Sequence, residues 1–250
     1  MSTHTCPLCR QKVDSSQLRK SHFMPAALYR GGTGSPTYGT RTATSVLAQE
    51  VRELLLCSSC EQLLEQNGES EVLRWIAPKK RRSFPLSDVL RVALPRECSP
   101  DLDRFSGDDL GIDMDKFAYF ALSVVWRSAI HNWLMPDGVV HPRMEIGGFE
   151  PPIREYLFRK AGFPPDTAVI VIVCNDAEAR RVWTTPIVNV EANCLNFRFL
   201  TRGVFFRVMM GYRMPSYFRD QCCTSPRKCL FYGSAAHRMP EILQIFDSAG

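Results

Sequence analysis

Apolar positions along this chain take up a helical period from about Ser45 and a strand period from Ala168. Val46, Leu47, Val51, Leu54 and Leu55 recur at helical spacing, with Leu63 and Leu64 continuing the stripe. Ser58 or Ser59 supplies a cap for a helix reaching Gln66, and Asn67-Gly68 reads as its stop. A short amphipathic helix is predicted from Glu71 to Ile76, and a further apolar stretch from Leu86 to Leu94. The widest apolar face belongs to a helix over about Met114 to Trp133, carrying Phe117, Phe120, Ala121, Val124, Val125, Ala129 and Ile130. Asp108, Asp109, Asp113 and Asp115 precede it, where the helix dipole favours carboxylates; a metal cluster is the other reading of these four. Another helix, over 152–161, ends at Gly162 and Pro164-Pro165.

From there the chain turns to strands. Ala168 to Cys174 is continuous and β-branched, as suits a strand covered on both faces. Val182 to Val190, Cys194 to Leu200 and Val204 to Gly211 follow, separated by turn signals at Asn193 and Arg202-Gly203. These read as an antiparallel meander, with Arg227 to Gly233 as a further strand and Pro240 to Asp247 as a closing helix. Near the N-terminus, Gln11 to Arg19 reads as a hairpin arm, and Gly31-Gly32-Thr33-Gly34-Ser35-Pro36 as a loop. No internal repeat is visible. The fold class is α+β, in three units: 1–68, a helical connector over 69–112, and a larger body over 113–250 with an antiparallel sheet.

Composition narrows the class. With 250 residues and 45% apolar content the chain can bury a sizeable core. No apolar run approaches the ~18 residues that span a bilayer. The N-terminus is polar and opens on a cysteine pair, which does not fit a secretory leader. Ten cysteines are many, but the chain is long for a disulfide scaffold; paired spacing without export favours reduced thiols, metal and a cytoplasmic setting. Charge is uneven. Residues 1–95 hold 13 Lys/Arg against 8 Asp/Glu, whereas the remainder is balanced. The excess sits with the cysteine pairs and the run Lys79, Lys80, Arg81 and Arg82, as expected of a module that meets phosphates. A solvated linker and a nuclear-localisation signal are the other readings of that run.

Cys6-Pro7-Leu8-Cys9 and Cys57-Ser58-Ser59-Cys60 carry the chemistry. Each C-x-x-C forms a knuckle with converging thiolates, and two knuckles complete a tetrahedral zinc site of Cys6, Cys9, Cys57 and Cys60. The 47 residues between the pairs are too many for a simple finger and include His22. Cys222, Cys223 and Cys229 with His237 have poor spacing for a second site and read as unbound thiols. Cys98, Cys174 and Cys194 read as core, as do Trp126, Trp133 and Trp183. Arg180-Arg181, Arg198, Arg202 and Arg207 read as either a phosphate-facing or a solvated surface. No nucleotide-cradling glycine loop, G-x-S-x-G or dinucleotide fingerprint is present.

The order Ser21-His22-Phe23-Met24-Pro25, Arg30-Gly31-Gly32-Thr33 and Leu56-Cys57-Ser58-Ser59-Cys60-Glu61 resembles zinc-braced HNH (His-Me finger) endonucleases. The likeness covers residues 6 to about 66, and is nearest to bacterial HNH-like proteins that carry Ser-His-Ile-Ile-Pro. It implies a ββα-metal, treble-clef finger with a structural Zn²⁺. It also implies a catalytic Mg²⁺ or Mn²⁺ held at the positions of Ser21 and Glu61, with His22 as general base. DNA is the substrate so implied, with RNA second, and bacterial defence the setting. Ser21 stands where the family has aspartate, and Glu61 where it has asparagine or histidine. Glu65 or Glu69 would be further carboxylates for the cation. The alternative is a catalytically inactive zinc finger that binds nucleic acid or a protein partner; a homo-oligomer is also compatible.

Overall fold

The computed structural model describes residues 3–29, 37–39, 44–46, 50–77, 84–135, 138–176 and 178–233. The Gly31 to Pro36 loop, the Lys79 to Arg82 run, His237 and the helix expected at 240–247 lie outside them.

The chain opens with a hairpin of β1 (Thr3–Thr5) and β2 (Lys12–Asp14), and the turn between them holds the first cysteine pair. Arg10 adopts a left-handed φ of 62°, which lets its N–H donate to the Cys6 carbonyl at 2.8 Å. A 3-10 turn, Ser15–Gln17, then leads into β3 (Leu18–His22) and one turn of helix, α1 (Ala26–Tyr29). Two short strands follow, β4 (Thr37–Gly39) and β5 (Thr44–Val46), then β6 (Arg52–Cys57). β6 pairs antiparallel with β3, with an irregularity between Arg19 and Lys20. Helical spacing read from Val46 to Leu55 is thus corrected: among the described residues Val46 ends β5, Arg52 to Leu55 lie in β6, and none is helical. A short apolar run fits either period, and pairing with β3 decided it.

β6 passes straight into α2 (Ser58–Leu64), with Cys57 at the N-cap and no side-chain cap bond from either serine. The helix does not stop at Asn67-Gly68. It widens into one π turn, Glu65–Glu69, and continues as α3 (Ser70–Ile76). After α4 (Pro85–Leu90), a strand that the sequence does not announce, β7 (Leu102–Ser106), comes before the long helix α5 (Met114–Ile130). Asp113 caps α5, accepting from the Lys116 N–H at 3.2 Å. Asp109 pairs with Arg96 and Asp115 with Lys228. Gly68 explains why the helix runs on past it. A Cβ there would lie 2.9 Å from both the Phe120 amide nitrogen and the Tyr119 ring, so the glycine is an approach point for α5.

The remaining elements are β8 (Trp133–Leu134), β9 (Val140–His141), α6 (Glu150–Leu157) and β10 (Thr167–Cys174). Then come β11 (Val182–Thr184), β12 (Ile187–Glu191), β13 (Cys194–Thr201), β14 (Val204–Met210), α7 (Ser216–Asp220) and β15 (Cys229–Gly233). Pro186 divides the strand expected at 182–190 into β11 and β12, because proline cannot donate to a ladder. Among the described residues one sheet holds nine strands in the order β5-β4-β11-β13-β14-β10-β15-β7, with β12 beside β13. β12, β13 and β14 form the expected meander, turning through left-handed residues at Ala192-Asn193 and Arg202-Gly203. β10–β15 and β4–β11 are parallel pairs. Strands from all three sequence units therefore share one sheet.

Alternation along these strands makes two layers. Val169, Val171, Val173, Phe206 and Val208 face α5 in the main core, which also takes in Trp126, Trp133 and Trp183. Ile170, Ile172, Phe205 and Phe231 face the other way, into a smaller cluster closed by Phe218 of α7. Cys174 and Cys194 are buried as expected, but Cys98 is exposed. Among the described residues no helix is long and apolar enough to cross a membrane.

Candidate functional site

The β1–β2 turn brings Cys6 and Cys9 against Cys57, at the end of β6, and Cys60, in the first turn of α2. Their four sulfurs lie within 4.8 Å of one another, and Cys9 Sγ is 3.9 Å from Cys57 Sγ. A tetrahedron with zinc–sulfur bonds of about 2.3 Å has sulfur–sulfur edges of roughly 3.8 Å, so the cluster fits that ion. All ten cysteines are free thiols. Crowding alone polarises the set. A hydrogen bond from Cys60 pushes the Cys6 thiol down to about 4, with backbone donors helping against burial, while Cys60 itself is pushed up as the partner that keeps the proton. The Cys57 backbone N–H also donates to Cys6 Sγ at 3.5 Å. A dication would stabilise all four sulfurs as thiolates. These four residues can hold a structural metal such as zinc.

On the β3–β6 pair the side chains at 21 and 22 part company. Ser21 is fully buried, and its Oγ accepts the Leu56 N–H at 3.1 Å, next to the ladder irregularity. His22 lies at the rim, about a quarter exposed, with Nε2 3.0 Å from Glu50 Oε2. The same carboxylate oxygen is 3.5 Å from Arg52 Nη1. Behind His22 stands the buried Tyr29, its ring 6.3 Å away and its hydroxyl accepting from the Met24 N–H. Burial pushes the Tyr29 phenol up, so it stays protonated and donates to the Val51 carbonyl.

Glu61 keeps different company. Its Oε1 is buried without a hydrogen bond, and its charge acts on the guanidinium of Arg127 on α5. Arg127 is itself buried and donates through Nη2 to Glu69 Oε1 at 2.6 Å. Desolvation pulls the Arg127 pKa down, but Glu69 and then Glu61 outweigh it and hold the group above its ordinary value. No hydrogen bond or ion pair among the described residues joins Glu61 to Ser21 or His22.

The cysteines thus converge as the spacing foretold, and the other residues fall into two clusters: His22 with Glu50, and Glu61 with Arg127 and Glu69. Reasoning from sequence missed Glu50, Tyr29 and Arg127. Nothing in their spacing relative to His22 or Glu61 announces them, although an arginine deep in an apolar helix is itself a signal of a buried acid partner. Arg202 is also no surface residue: it is buried and donates from Nε and Nη2 to the Leu28 carbonyl. Arg180 lies over the Phe84 ring and donates to Ser87. Compared with known proteins, the chain matches no family model, no curated protein and no solved structure.

Proposed function

We propose that the first cysteine hairpin, the β3–β6 pair and α2 form a zinc-braced ββα finger of the HNH, treble-clef kind, and that it hydrolyses phosphodiester bonds in DNA. The observation that carries this reading is the 3.0 Å pairing of His22 Nε2 with Glu50, on a partly exposed rim of the β3–β6 pair whose other end carries Cys57 of the four-cysteine cluster. With Nε2–H donated to Glu50, Nδ1 keeps its lone pair and accepts the proton of an attacking water. The Glu50 carboxylate holds the ring in that tautomer and stabilises the imidazolium that forms. By resemblance Ser21 and Glu61 would hold a catalytic Mg²⁺ or Mn²⁺, which would offset charge on the phosphate, although Ser21 Oγ is buried against the Leu56 N–H and Glu61 is drawn to Arg127. The structural zinc takes no part in proton transfer.

The test is nicking of supercoiled plasmid by zinc-loaded protein with Mn²⁺ or Mg²⁺ added. Wild-type protein cuts; His22→Ala does not, while zinc stays at about one per chain, as a single four-thiolate site holds. Plasmid left intact by the wild-type protein would end the hydrolytic reading.

A second reading, a zinc-braced module that binds nucleic acid without cutting it, is favoured by one observation. The Arg127 guanidinium already occupies the electrostatic neighbourhood of Glu61, where a divalent cation needs unopposed negative charge. It predicts binding that weakens steeply with salt and falls when Lys79 to Arg82 are changed to serine. His22→Ala would leave that binding alone.

A further inference from the structure

Among the described residues, the outward face of the sheet, away from α5, is covered only in part. Met214, Phe218 and Cys222 close one portion. The rest is a cleft of about 420 Å³, within the ~300–1,000 Å³ typical of small-molecule sites. We propose that this cleft binds an organic anion: a flat apolar body bearing a phosphate or carboxylate.

Its floor and its walls differ in chemistry. Ile170, Ile172, Phe205 and Phe231 give an apolar floor drawn from three adjacent strands. Arg104 of β7, Arg198 of β13 and Arg207 of β14 line the same cleft, opposed among its lining residues by two carboxylates, Glu97 and Glu191. Arg198 and Arg207 are direct register partners across β13 and β14. Their side chains therefore stand next to each other on the same face of the sheet.

The walls already bind a carboxylate. Glu191 accepts from Arg207 Nη2 through one oxygen and from Asn196 Nδ2 at 2.8 Å through the other. Asn196 in turn accepts from Arg207 Nε at 3.2 Å, which fixes the guanidinium plane. On the far wall Arg104 donates to Glu97, and its Nε is buried without a hydrogen bond. Glu191 is 42% and Glu97 62% exposed, whereas Arg207 and Arg104 are only 21% and 14% exposed. The acids are therefore rim groups that a ligand's own acid can replace at little cost, while the arginines stay fixed. Planar, bidentate guanidinium donors suit phosphate and carboxylate alike.

Cys98 also lines the cleft and is exposed, unlike the other nine cysteines, so it reports occupancy at this place. The experiment titrates the zinc-loaded full chain with 5′-AMP and, separately, with salicylate. Calorimetry reads binding, and the rate of Cys98 alkylation by iodoacetamide reads location. Saturable binding of either probe with slowed alkylation supports the site; AMP alone points to a phosphate ligand, salicylate alone to a carboxylate. Arg198→Gln and Arg207→Gln, checked for an unchanged circular dichroism spectrum, should each weaken binding about tenfold, as loss of a charge-assisted hydrogen bond does. His22→Ala should leave it unchanged, which separates this site from the proposed nuclease centre. The proposal is overturned if neither probe binds at millimolar concentration. It is equally overturned if binding leaves Cys98 alkylation unaltered or survives in the folded Arg198→Gln/Arg207→Gln double variant.

Discussion

Arg127 on α5 donates to Glu69 on the π turn at 2.6 Å, and this pair, with the arginine buried and the acid largely so, joins the helix that begins at the second cysteine knuckle to the core against the sheet. Burying two charges costs several kcal/mol, which their mutual attraction roughly repays; removing one partner leaves the other exposed to the full penalty.

Glu69→Leu should therefore lower unfolding free energy by about 3–5 kcal/mol, measured by urea titration. Adding Arg127→Met should restore much of that loss. If the two changes instead sum independently, the pair does not act as a unit.

Gly68→Ala tests the close approach of α5. In an exposed helix the change would add about 1 kcal/mol of stability through propensity. Here the new methyl would lie 2.9 Å from the Phe120 backbone, which cannot swing aside as a side chain can. Overpacking should win, giving a net loss of roughly 1–3 kcal/mol. A stabilised variant would show that the two helices are less closely packed.

Metal removal should uncouple the N-terminal elements. Cys57→Ser should abolish stoichiometric zinc, and chelation of the wild-type protein should expose β1 to β3 to proteolysis. Structural zinc sites contribute on the order of 10 kcal/mol to folding of such modules. Zinc content measured by atomic absorption alongside limited digestion checks both parts. Protease resistance that persists after complete chelation would contradict a bracing role.

His141 gives a pH dependence. Burial beside Phe23 pulls its pKa below the ordinary value of 6.5, so the folded state keeps it neutral. Below that value the unfolded chain gains a proton that the folded chain does not, so stability falls as pH drops from 6.5 towards the depressed folded pKa. The slope can reach about 1.4 kcal/mol per pH unit for one group. His141→Asn should flatten the thermal-stability profile over that window; an unaltered slope would assign it to other groups.

Glu50→Gln tests the proposed dyad. The amide keeps the size of the side chain but cannot stabilise an imidazolium. Turnover should fall by about 10²–10⁴ while DNA affinity changes little. A loss of affinity with turnover intact would make Glu50 a binding group instead.

Much of the architecture was legible because its signals are local. The β-branched run at 168–174 became the central strand β10, and Arg202-Gly203 became the left-handed turn between β13 and β14. Asp113 took the cap of α5 as its position suggests. Misreadings arose where a local signal was outweighed by a distant partner. Asn67-Gly68 looks like a helix stop until Phe120 packs on it, and Leu54-Leu55 look helical until β3 pairs alongside. Cys98 was assigned to the core by residue type, yet it lies on an exposed stretch of a cleft wall.

By itself the amino-acid order determined that four thiols would meet, because C-x-x-C pairs are short-range geometry and need only one long-range closure. It also determined a mixed α+β chain with a meander. The tertiary structure decided which charges face which: Glu50 reaches His22 across 28 residues, and Arg127 reaches Glu69 across 58. Periodicity says which side of an element is buried but not which element will cover it. Partners of buried charges are therefore set only when the layers close.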